Sequence, residues 1–237
     1  GRILWDVTLS DYAKEDRWPI FEAQVKTIAQ LHSLDYEAIG LGDYGKPGNY
    51  FERQIGRWTK QYIASETQKV DNMDKLMAWL PGQIPQDDAT SIVHGDFRLD
   101  NMVLHPTKPE VSAVLDWELS TLGHPLGDFT YHLMQWHMPS IKTMVTASLA
   151  GRDLGKLGIP TAEQYIRMYC ESVGRDGIEN IDFYLAFNMF RLAAILQGIV
   201  GRVRDGTASS AHAGEMEKNI PPLADVGWAF AQKAGAI

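Results

Sequence analysis

In the stretch Ser91–Asn101, SIVHGDFRLDN, an apolar run ends at a glycine and closely spaced polar residues follow. The letters SIV are typical of a short strand, and the charged residues after Gly95 are not typical of its continuation. The polar side chains are of kinds that bind an anion or a metal ion: His94, Asp96, Arg98, Asp100 and Asn101. The rest of the sequence decides between a functional loop and a polar turn.

The composition is that of a folded protein with a sizeable core. The chain has 237 residues, 45% hydrophobic and 22% charged, a length that suits one large domain or two small ones. The net charge of −8 disfavours a general nucleic-acid binder, which needs a broad basic surface. A single cysteine, Cys170, leaves no internal disulfide. We find no apolar run near the roughly 20 residues that span a bilayer and no signal peptide, so a cytoplasmic location is expected.

Hydrophobic periodicity divides the chain into three regions. Residues 1 to about 90 have a helical pattern, as in FEAQVKTIAQLHSL at residues 21–34. The middle region changes to short, partly β-branched runs. The third region is helical again, with Pro125 opening one helix and Thr161 with Gln164 forming a capping box before another. We therefore predict an α+β, mostly helical fold around a small β-hairpin.

The hairpin is predicted directly after the polar loop. Its strands are Met102–His105 and Val111–Leu115, and the letters between them have the composition of a turn. Because antiparallel pairing brings the start of one strand beside the end of the other, Asn101 and Asp116 are expected at the same end of the hairpin. Asp96 lies on the loop that leads to this end. Two carboxylates and an amide oxygen are therefore expected to converge.

Such oxygen atoms suit Mg²⁺, which takes few protein ligands and keeps water or phosphate oxygens in its other positions. A further carboxylate near a hydroxyl group can orient it and accept its proton. Arg98, two residues after Asp96, can neutralise charge on an anion that the metal also contacts. This division of work is typical of phosphoryl transfer, in which positioning and charge neutralisation dominate.

Two alternatives remain open from these residues. The first is a metal-dependent hydrolase, although His105 is expected to point away from the site because it lies at the far end of its strand. The second is a non-catalytic module that keeps the fold to bind a ligand. The hydrolase would use nitrogen and oxygen ligands for a transition metal, with these candidates: His94, Asp96, His105, Asp116 and His124.

The order His-Gly-Asp, then Asn five residues after the Asp, then a hairpin and a further Asp matches the catalytic segment of kinase-like folds. The segments IVHGDFRLDNMVLHP and AVLDWELSTLGHPLGDFTYHL resemble the aminoglycoside phosphotransferase family, which includes choline kinase-like enzymes. The flanking segments GRILWD, LHSLD, GKPGNYFERQIGRWTKQY and RLAAILQGI are similar to one branch of that family. This branch includes the kinase-like domains of acyl-CoA dehydrogenase family members 10 and 11 and bacterial proteins provisionally assigned as phosphotransferases. The resemblance covers nearly the whole chain.

The resemblance implies a role for each residue of the motif. Asp96 corresponds to the catalytic residue that orients the acceptor hydroxyl. Arg98 is a second catalytic candidate, at the position of a phosphate-contacting lysine in protein kinases. Asn101 and Asp116 correspond to the Mg²⁺ ligands and therefore belong to the ATP site. His94 corresponds to a loop histidine that braces the structure.

Other residues are candidates for supporting roles. Asp128, at the start of a helix, is expected to brace the catalytic loop by accepting hydrogen bonds from free N–H groups. Four aromatic residues and one arginine lie in helical patterns, where such residues are also common in the core. They are the candidates for contact with the acceptor: Trp58, Tyr62, Tyr131, Trp136 and Arg191.

The resemblance also implies the cofactors and partners, which are ATP, Mg²⁺ and a small molecule with a hydroxyl group. The resemblance to this branch suggests a hydroxyacyl-CoA-type metabolite rather than an aminoglycoside as the acceptor. The helices after Pro125 are rich in aromatic residues and methionine, which favours an acceptor with fewer positive charges. Residues 1–237 are expected to form a single domain, the C-terminal catalytic lobe of a protein-kinase-like fold. No glycine-rich strand-loop-strand precedes the motif, so the N-terminal nucleotide-binding lobe is expected to be absent and the chain alone inactive.

Overall fold

The computed structural model, which describes residues 1–87, 89–139, 148–207 and 211–237, is mostly helical, with short strands in the middle of the chain. This agrees with the predicted α+β class. The helices are α1 (Lys14–His32), α2 (Tyr50–Ser65), α3 (Asp71–Trp79), α4 (Pro125–Leu133), α5 (Leu154–Leu157), α6 (Ala162–Val173), α7 (Ile181–Arg204) and α8 (Ile220–Lys233). The strands are β1 (Ser91–Val93), β2 (Met102–Leu104), β3 (Val111–Val114) and β4 (Thr121–Gly123).

The contacts divide the chain into two units. The first unit contains α1, all of the strands listed above, α4, α5 and α6, and the second contains α2, α3, α7 and α8. The predicted catalytic and metal-binding residues all belong to the first unit, whereas the expectation of one domain over residues 1–237 stays a prediction. The first unit comprises Gly1–Gly48, Asp88–His137 and Thr146–Glu179, and the second comprises Asn49–Asp87, Met138–Val145 and Asn180–Ile237.

The predicted hairpin is formed by β2 and β3, and each strand is one residue shorter than expected. The strands are antiparallel, with Met102 opposite Val114. The N–H of Leu115 donates to the carbonyl of Asn101 at 2.8 Å and continues the pairing by one residue. Asn101 and Asp116 therefore flank the same end of the hairpin, as antiparallel pairing requires. We call this end, opposite the turn, the open end.

The first residues of the chain support the turn of the hairpin. Arg2 pairs with Leu104 through two backbone hydrogen bonds of 2.8 and 2.9 Å. Its guanidinium donates to the carbonyl groups of His105 at 2.8 Å and Lys108 at 3.0 Å. These contacts fix the end of the hairpin that lies away from the predicted site.

Strand β4 was not predicted, because its three residues TLG carry little strand signal of their own. It pairs antiparallel with β1, with Val93 opposite Thr121, and the Ser120 hydroxyl donates to the Val93 carbonyl at 2.7 Å. The loop that follows β1 and the segment that precedes β4 therefore start from the same end of this small sheet. The pairing brings the loop carrying Asp96 beside the segment that follows Asp116.

Aromatic packing builds the core of the first unit. The ring of Phe129 on α4 stacks on Tyr169 of α6, with ring centroids 3.9 Å apart and planes 13° apart. Phe21 of α1 meets Tyr165 of α6 edge to face at 6.2 Å. Each such pair contributes about 0.5–1.5 kcal/mol beyond its buried area. The predicted capping box at Thr161 is confirmed and fixes the start of α6.

Helix α7 corrects one expectation from the sequence. By length and composition alone, Ile181–Arg204 is apolar enough to cross a membrane, with a mean hydropathy of 1.5. The expectation that no apolar run approaches this length was therefore wrong. Yet 89% of its most apolar window is buried inside the protein, and the helix packs against α2 and α8 within the second unit. At Gly201 a Cβ atom would lie 2.6 Å from the Ser65 Cβ, so the lack of a side chain there lets α2 and α7 approach closely.

Candidate active site

The structure brings Asp96 and Asn101 into direct contact. The Asn101 side-chain amide nitrogen donates to the Asp96 carbonyl at 2.9 Å and to the Asp96 carboxylate at 3.1 Å. An amide that uses its N–H groups in this way has its oxygen left to bind a ligand. The short 3-10 turn Leu99–Asn101 shapes this contact.

Asp116 has an unusual backbone conformation. Its φ of 64° and ψ of 57° lie in the left-handed region, which Asp and Asn tolerate better than most residues with a side chain. The residue is exposed, and no hydrogen bond or ion pair to its carboxylate occurs among the described residues. A strained residue with an exposed charged group is typical of a functional position.

Arg98 lies among several acidic groups. Its Nε is 3.2 Å from an Asp96 carboxylate oxygen, and a terminal nitrogen is 3.1 Å from the Asp100 carboxylate. Burial alone would lower the pKa of Arg98, but nearby acidic groups raise it by more than burial lowers it. In order of decreasing effect these groups are Asp96, Tyr131, Asp100 and Asp116. Asp96 and Asp116 therefore act on the same cation. Asp100, which was not assigned a role from the sequence, is the second anchor of this guanidinium.

His94 links the loop carrying Asp96 to the hairpin. The backbone N–H of Asp96 donates to its Nδ1 at 3.2 Å, and its Nε2 is 2.8 Å from the Leu115 carbonyl. Because a backbone N–H can only donate, Nδ1 is the acceptor and Nε2 carries the proton. The neutral imidazole thus connects the N–H of Asp96 to the carbonyl of the residue before Asp116.

Asp128 is fully buried and contacts the start of the same loop. Its carboxylate accepts hydrogen bonds from the backbone N–H groups of His94 at 2.7 Å and Gly95 at 2.8 Å, and from His32 Nε2 at 3.3 Å. Burial raises the pKa of Asp128, but the hydrogen bond and charge of His32 and the two N–H groups outweigh this effect and lower it. The contacts fit the brace role expected for His94 and Asp128, which we retain as a proposal.

Gly95 allows two segments of the site to approach closely. Its φ of +85° lies in the left-handed region, and a Cβ atom there would lie 2.6 Å from the Leu119 carbonyl oxygen. A residue with a side chain would meet both a backbone penalty and a steric overlap. The absence of a side chain therefore keeps the loop carrying Asp96 against the segment that follows Asp116.

His132 contacts the loop after Asp96. Its Nδ1 lies 3.1 Å from the Phe97 carbonyl, which can only accept, so Nδ1 carries the proton. Burial lowers the pKa of His132 to about 4, although the hydrogen bond to Phe97 and the charge of Asp128 oppose this effect. His132 is therefore neutral near pH 7.

The free energy of unfolding is expected to fall as the pH is lowered from about 6.5 to about 4, because the pKa of His132 differs between the unfolded and folded protein. In this range the unfolded protein protonates His132 but the folded protein does not, so the free energy of unfolding falls by at most about 1.4 kcal/mol per pH unit. His132→Asn removes this titration and keeps a donor near the Phe97 carbonyl. Chemical denaturation at several pH values is expected to show a shallower pH dependence for this variant, and equal slopes would contradict the assignment.

The five residues predicted to contact the acceptor are buried, at 6% exposure or less: Trp58, Tyr62, Tyr131, Trp136 and Arg191. In the first unit, Trp136 Nε1 donates to the Pro160 carbonyl at 2.8 Å. In the second unit, the Arg191 guanidinium lies 5.7 Å from the Trp58 ring centroid. These contacts are those of packed core residues, and a role in acceptor binding stays a prediction.

The histidines of the hydrolase alternative have other contacts. Both ring nitrogens of His94 are bound to backbone groups. Nδ1 of His105 accepts from the Thr107 N–H at 3.2 Å, and Nδ1 of His124 accepts from a backbone N–H at the start of α4. In the part of the chain that the structure describes, no group of three or more His, Cys, Asp and Glu side chains could hold a metal ion. These contacts disfavour a transition-metal site.

The loop carrying Asp96 and the hairpin that follows it, among mostly helical surroundings, are typical of a kinase-like phosphotransferase. The chain belongs to the phosphotransferase enzyme family, whose sequence profile matches residues 6–168. The fold class and the phosphotransferase class predicted from the sequence are thereby confirmed.

The comparisons also agree with the predicted branch of the family. The chain is 45% identical to mouse acyl-CoA dehydrogenase family member 10, over 99% of this chain and 22% of that protein. It is 39% identical to human acyl-CoA dehydrogenase family member 11, over 96% of this chain and 29% of that protein. The chain thus spans less than a third of the length of these curated relatives.

Solved structures share the fold. A crystal structure of a Ralstonia eutropha protein, provisionally assigned as an aminoglycoside phosphotransferase, is 55% identical with a TM-score of 0.93. The match covers 98% of this chain and 70% of that one. A Plasmodium vivax ethanolamine kinase shares the fold alone, at 12% identity and a TM-score of 0.52, over 92% of this chain and 63% of that one.

Proposed function

We propose that this chain is the catalytic and acceptor-binding lobe of a cytoplasmic kinase that uses ATP and Mg²⁺ to phosphorylate a hydroxyl group of a small molecule. The observation that carries the proposal is the grouping of acidic and amide side chains around Arg98 at the open end of the hairpin. Asn101 contacts Asp96 directly. The pKa of Arg98 is raised, against the effect of burial, by the charges of acidic groups that include Asp96 and Asp116.

The residues at the open end fit Mg²⁺. Asn101 offers an amide oxygen, and Asp116 offers an exposed carboxylate with no donor among the described residues. A small set of oxygen ligands is what this hard cation takes from a protein when it also contacts phosphate oxygens. Bound Mg²⁺ supplies neutralisation of charge on the phosphates. Asn101 and Asp116 would hold it.

The chain's own groups then account for the remaining chemistry. Asp96 orients the acceptor hydroxyl and takes its proton as the hydroxyl oxygen bonds to the terminal phosphorus of ATP and ADP leaves. Arg98 is about half exposed, so its guanidinium can move from the carboxylates to the transferred group and neutralise its charge. His94 keeps the N–H of Asp96 and the residue before Asp116 in a fixed relation.

The acceptor that we favour is a hydroxyacyl-CoA-type metabolite. Two curated relatives carry the name acyl-CoA dehydrogenase, which indicates an acyl-CoA thioester as the class of metabolite. We also propose that an N-terminal lobe outside this chain completes the nucleotide site. In support, the match covers 70% of the Ralstonia eutropha chain, so that protein has further residues for such a lobe.

A screen of acceptors tests the proposed function. The full-length protein is incubated with ATP and Mg²⁺ and with hydroxyacyl-CoAs, aminoglycosides, choline or simple sugars, and ADP release is measured. We expect release that depends on a hydroxyacyl-CoA. ADP release with an aminoglycoside instead would reject the favoured acceptor but would still support a small-molecule kinase. The absence of acceptor-dependent release with every compound would favour the non-catalytic alternative.

Replacement of Asp116 by asparagine is expected to weaken the apparent affinity for Mg²⁺ by about tenfold to a hundredfold. Asparagine tolerates the left-handed backbone conformation, so the variant removes the charge without adding backbone strain. The measurement is the Mg²⁺ dependence of ADP release at saturating ATP. Glu118→Gln is the control, because Glu118 is an exposed carboxylate two residues away. An unchanged Mg²⁺ dependence in Asp116→Asn would reject this ligand.

A further inference from the structure

Helix α6 presents two tyrosines one helical turn apart, and the hydroxyl of each contacts a histidine. Tyr169 OH lies 2.8 Å from His32 Nδ1, and Tyr165 OH lies 2.9 Å from His132 Nε2. Both tyrosines are at most 1% exposed, and the ring of Phe129 stacks on both. Neither tyrosine was assigned a function from the sequence.

The first histidine acts on the loop before Asp96. His32 uses Nδ1 for Tyr169 and Nε2 for the Asp128 carboxylate, at 3.3 Å. Because a carboxylate accepts, Nε2 is the donor. Asp128 in turn accepts the backbone N–H groups of His94 and Gly95. The side chain of His32 is 2% exposed, so water does not substitute for either partner.

The second histidine acts on the loop after Asp96. His132 uses Nδ1 to donate to the Phe97 carbonyl at 3.1 Å. Nε2 is then the acceptor, and both the Tyr165 hydroxyl and the Gln135 amide, at 3.2 Å, are placed to donate to it. The two donors fix the tautomer that the contact with Phe97 requires.

We propose that His32 and His132, fixed by the tyrosine pair of α6, are positioning residues that hold the backbone on both sides of Asp96. The inference rests on the proposed function, in which Asp96 orients the acceptor hydroxyl. Neither histidine touches the reacting atoms. Displacement of a catalytic group by about 1 Å can lower the rate by about a hundredfold, so support for the flanking backbone affects turnover more than nucleotide binding.

Substitutions that exchange the position of the donor distinguish this role from packing. The amide nitrogen of glutamine reaches approximately as far as histidine Nε2, and that of asparagine as far as Nδ1. His32→Gln therefore keeps a donor to the Asp128 carboxylate, and His132→Asn keeps a donor to the Phe97 carbonyl. The opposite substitutions, His32→Asn and His132→Gln, displace these donors. If each histidine only filled space, glutamine would be the better-tolerated replacement at both positions, because its volume is closer than that of asparagine to the volume of histidine.

Two readouts in the full-length protein test the proposal. Hydrogen–deuterium exchange of peptides covering residues 91–101 is expected to be about tenfold faster in His32→Asn and His132→Gln, as for the loss of one buried hydrogen bond. With the acceptor found in the screen, kcat of these variants is expected to fall by roughly tenfold to a hundredfold, with little change in KM for ATP. His32→Gln and His132→Asn are expected to stay within about threefold of the parent in both measurements.

The tyrosines provide a second test that survives if a histidine variant fails to fold. Tyr165→Phe and Tyr169→Phe each remove one oxygen atom, and each is expected to speed exchange of the same peptides by about fivefold. Tyr36→Phe is the matched control, because Tyr36 lies in the first unit outside this network. Unchanged exchange in both α6 variants would overturn the proposal.

The outcomes separate this inference from the proposed function. A preference for glutamine at both histidine positions, or faster exchange with unchanged kcat, would overturn the positioning role even in an active kinase. If no acceptor-dependent ADP release is found, the proposed function fails. The exchange rates of the four histidine variants still decide whether the two histidines hold the loop.

Discussion

Replacement of Asp96 by asparagine is expected to lower kcat of the proposed kinase reaction of the full-length protein by about a thousandfold, because an amide cannot accept the proton of the acceptor hydroxyl. The affinity for ATP with Mg²⁺ is expected to change little, since the proposed metal ligands Asn101 and Asp116 remain. The substitution keeps the size of the side chain and still offers an oxygen to the Asn101 amide, which is 3.1 Å from the carboxylate. Steady-state kinetics together with direct nucleotide binding measure the two effects separately.

Asp100→Asn is the control for this experiment. Asp100 also contacts the Arg98 guanidinium, at 3.1 Å, but the Asn101 side-chain amide donates to Asp96 and not to the Asp100 carboxylate. If the effect of Asp96→Asn came from the loss of a negative charge near Arg98, the two variants would be impaired equally. A much smaller loss in Asp100→Asn is expected, and similar turnover in Asp96→Asn and the parent would remove Asp96 from the mechanism.

Replacement of Asp128 by alanine is expected to lower the free energy of unfolding by about 3–5 kcal/mol, comparable to breaking a buried ion pair. The substitution leaves two backbone N–H groups and the His32 imidazole without their acceptor in a site that is 0% exposed. Each buried donor left without a partner costs about 1–3 kcal/mol. The shift of the denaturation midpoint, multiplied by the slope of the transition, measures the loss.

Two further variants test the origin of this loss. Asp128→Asn keeps one oxygen acceptor and is expected to be destabilised by less than the alanine variant. Glu163→Ala removes an acidic side chain that is exposed in the first turn of α6, and a helix-terminus effect alone is worth less than about 1 kcal/mol. If Asp128→Ala costs no more than Glu163→Ala, the buried hydrogen bonds do not stabilise the fold as described.

The hairpin and the grouping at its open end could be predicted because their causes are local. The residues of β2 and β3 are separated by a short turn, and antiparallel pairing fixes which ends meet. The helices were predictable for the same reason, since their apolar residues recur at helical spacing. The family motif assigned roles to Asp96, Asn101 and Asp116, and these roles stay predictions.

Contacts between distant parts of the chain could not be predicted in this way. Strand β4 exists because β1 pairs with it, and its three residues carry little signal of their own. The link from Tyr169 through His32 to Asp128 joins α6, α1 and α4, three helices that are far apart in sequence. A histidine near a helix end has many ordinary explanations, so no local pattern distinguishes this one. The buried state of the aromatic acceptor candidates likewise depends on tertiary packing.

The close approach at Gly95 constrains how relatives of this protein can diverge. A larger residue at this position cannot arise without a compensating shift of the segment around Leu119, whose carbonyl would lie 2.6 Å from the new Cβ. Because the overlapping oxygen belongs to the backbone, no substitution at position 119 removes the overlap, and glycine is expected to be retained at position 95 wherever the two segments keep this approach. Relatives that retain this glycine can vary the hairpin turn without changing the close approach between the segments around Gly95 and Leu119.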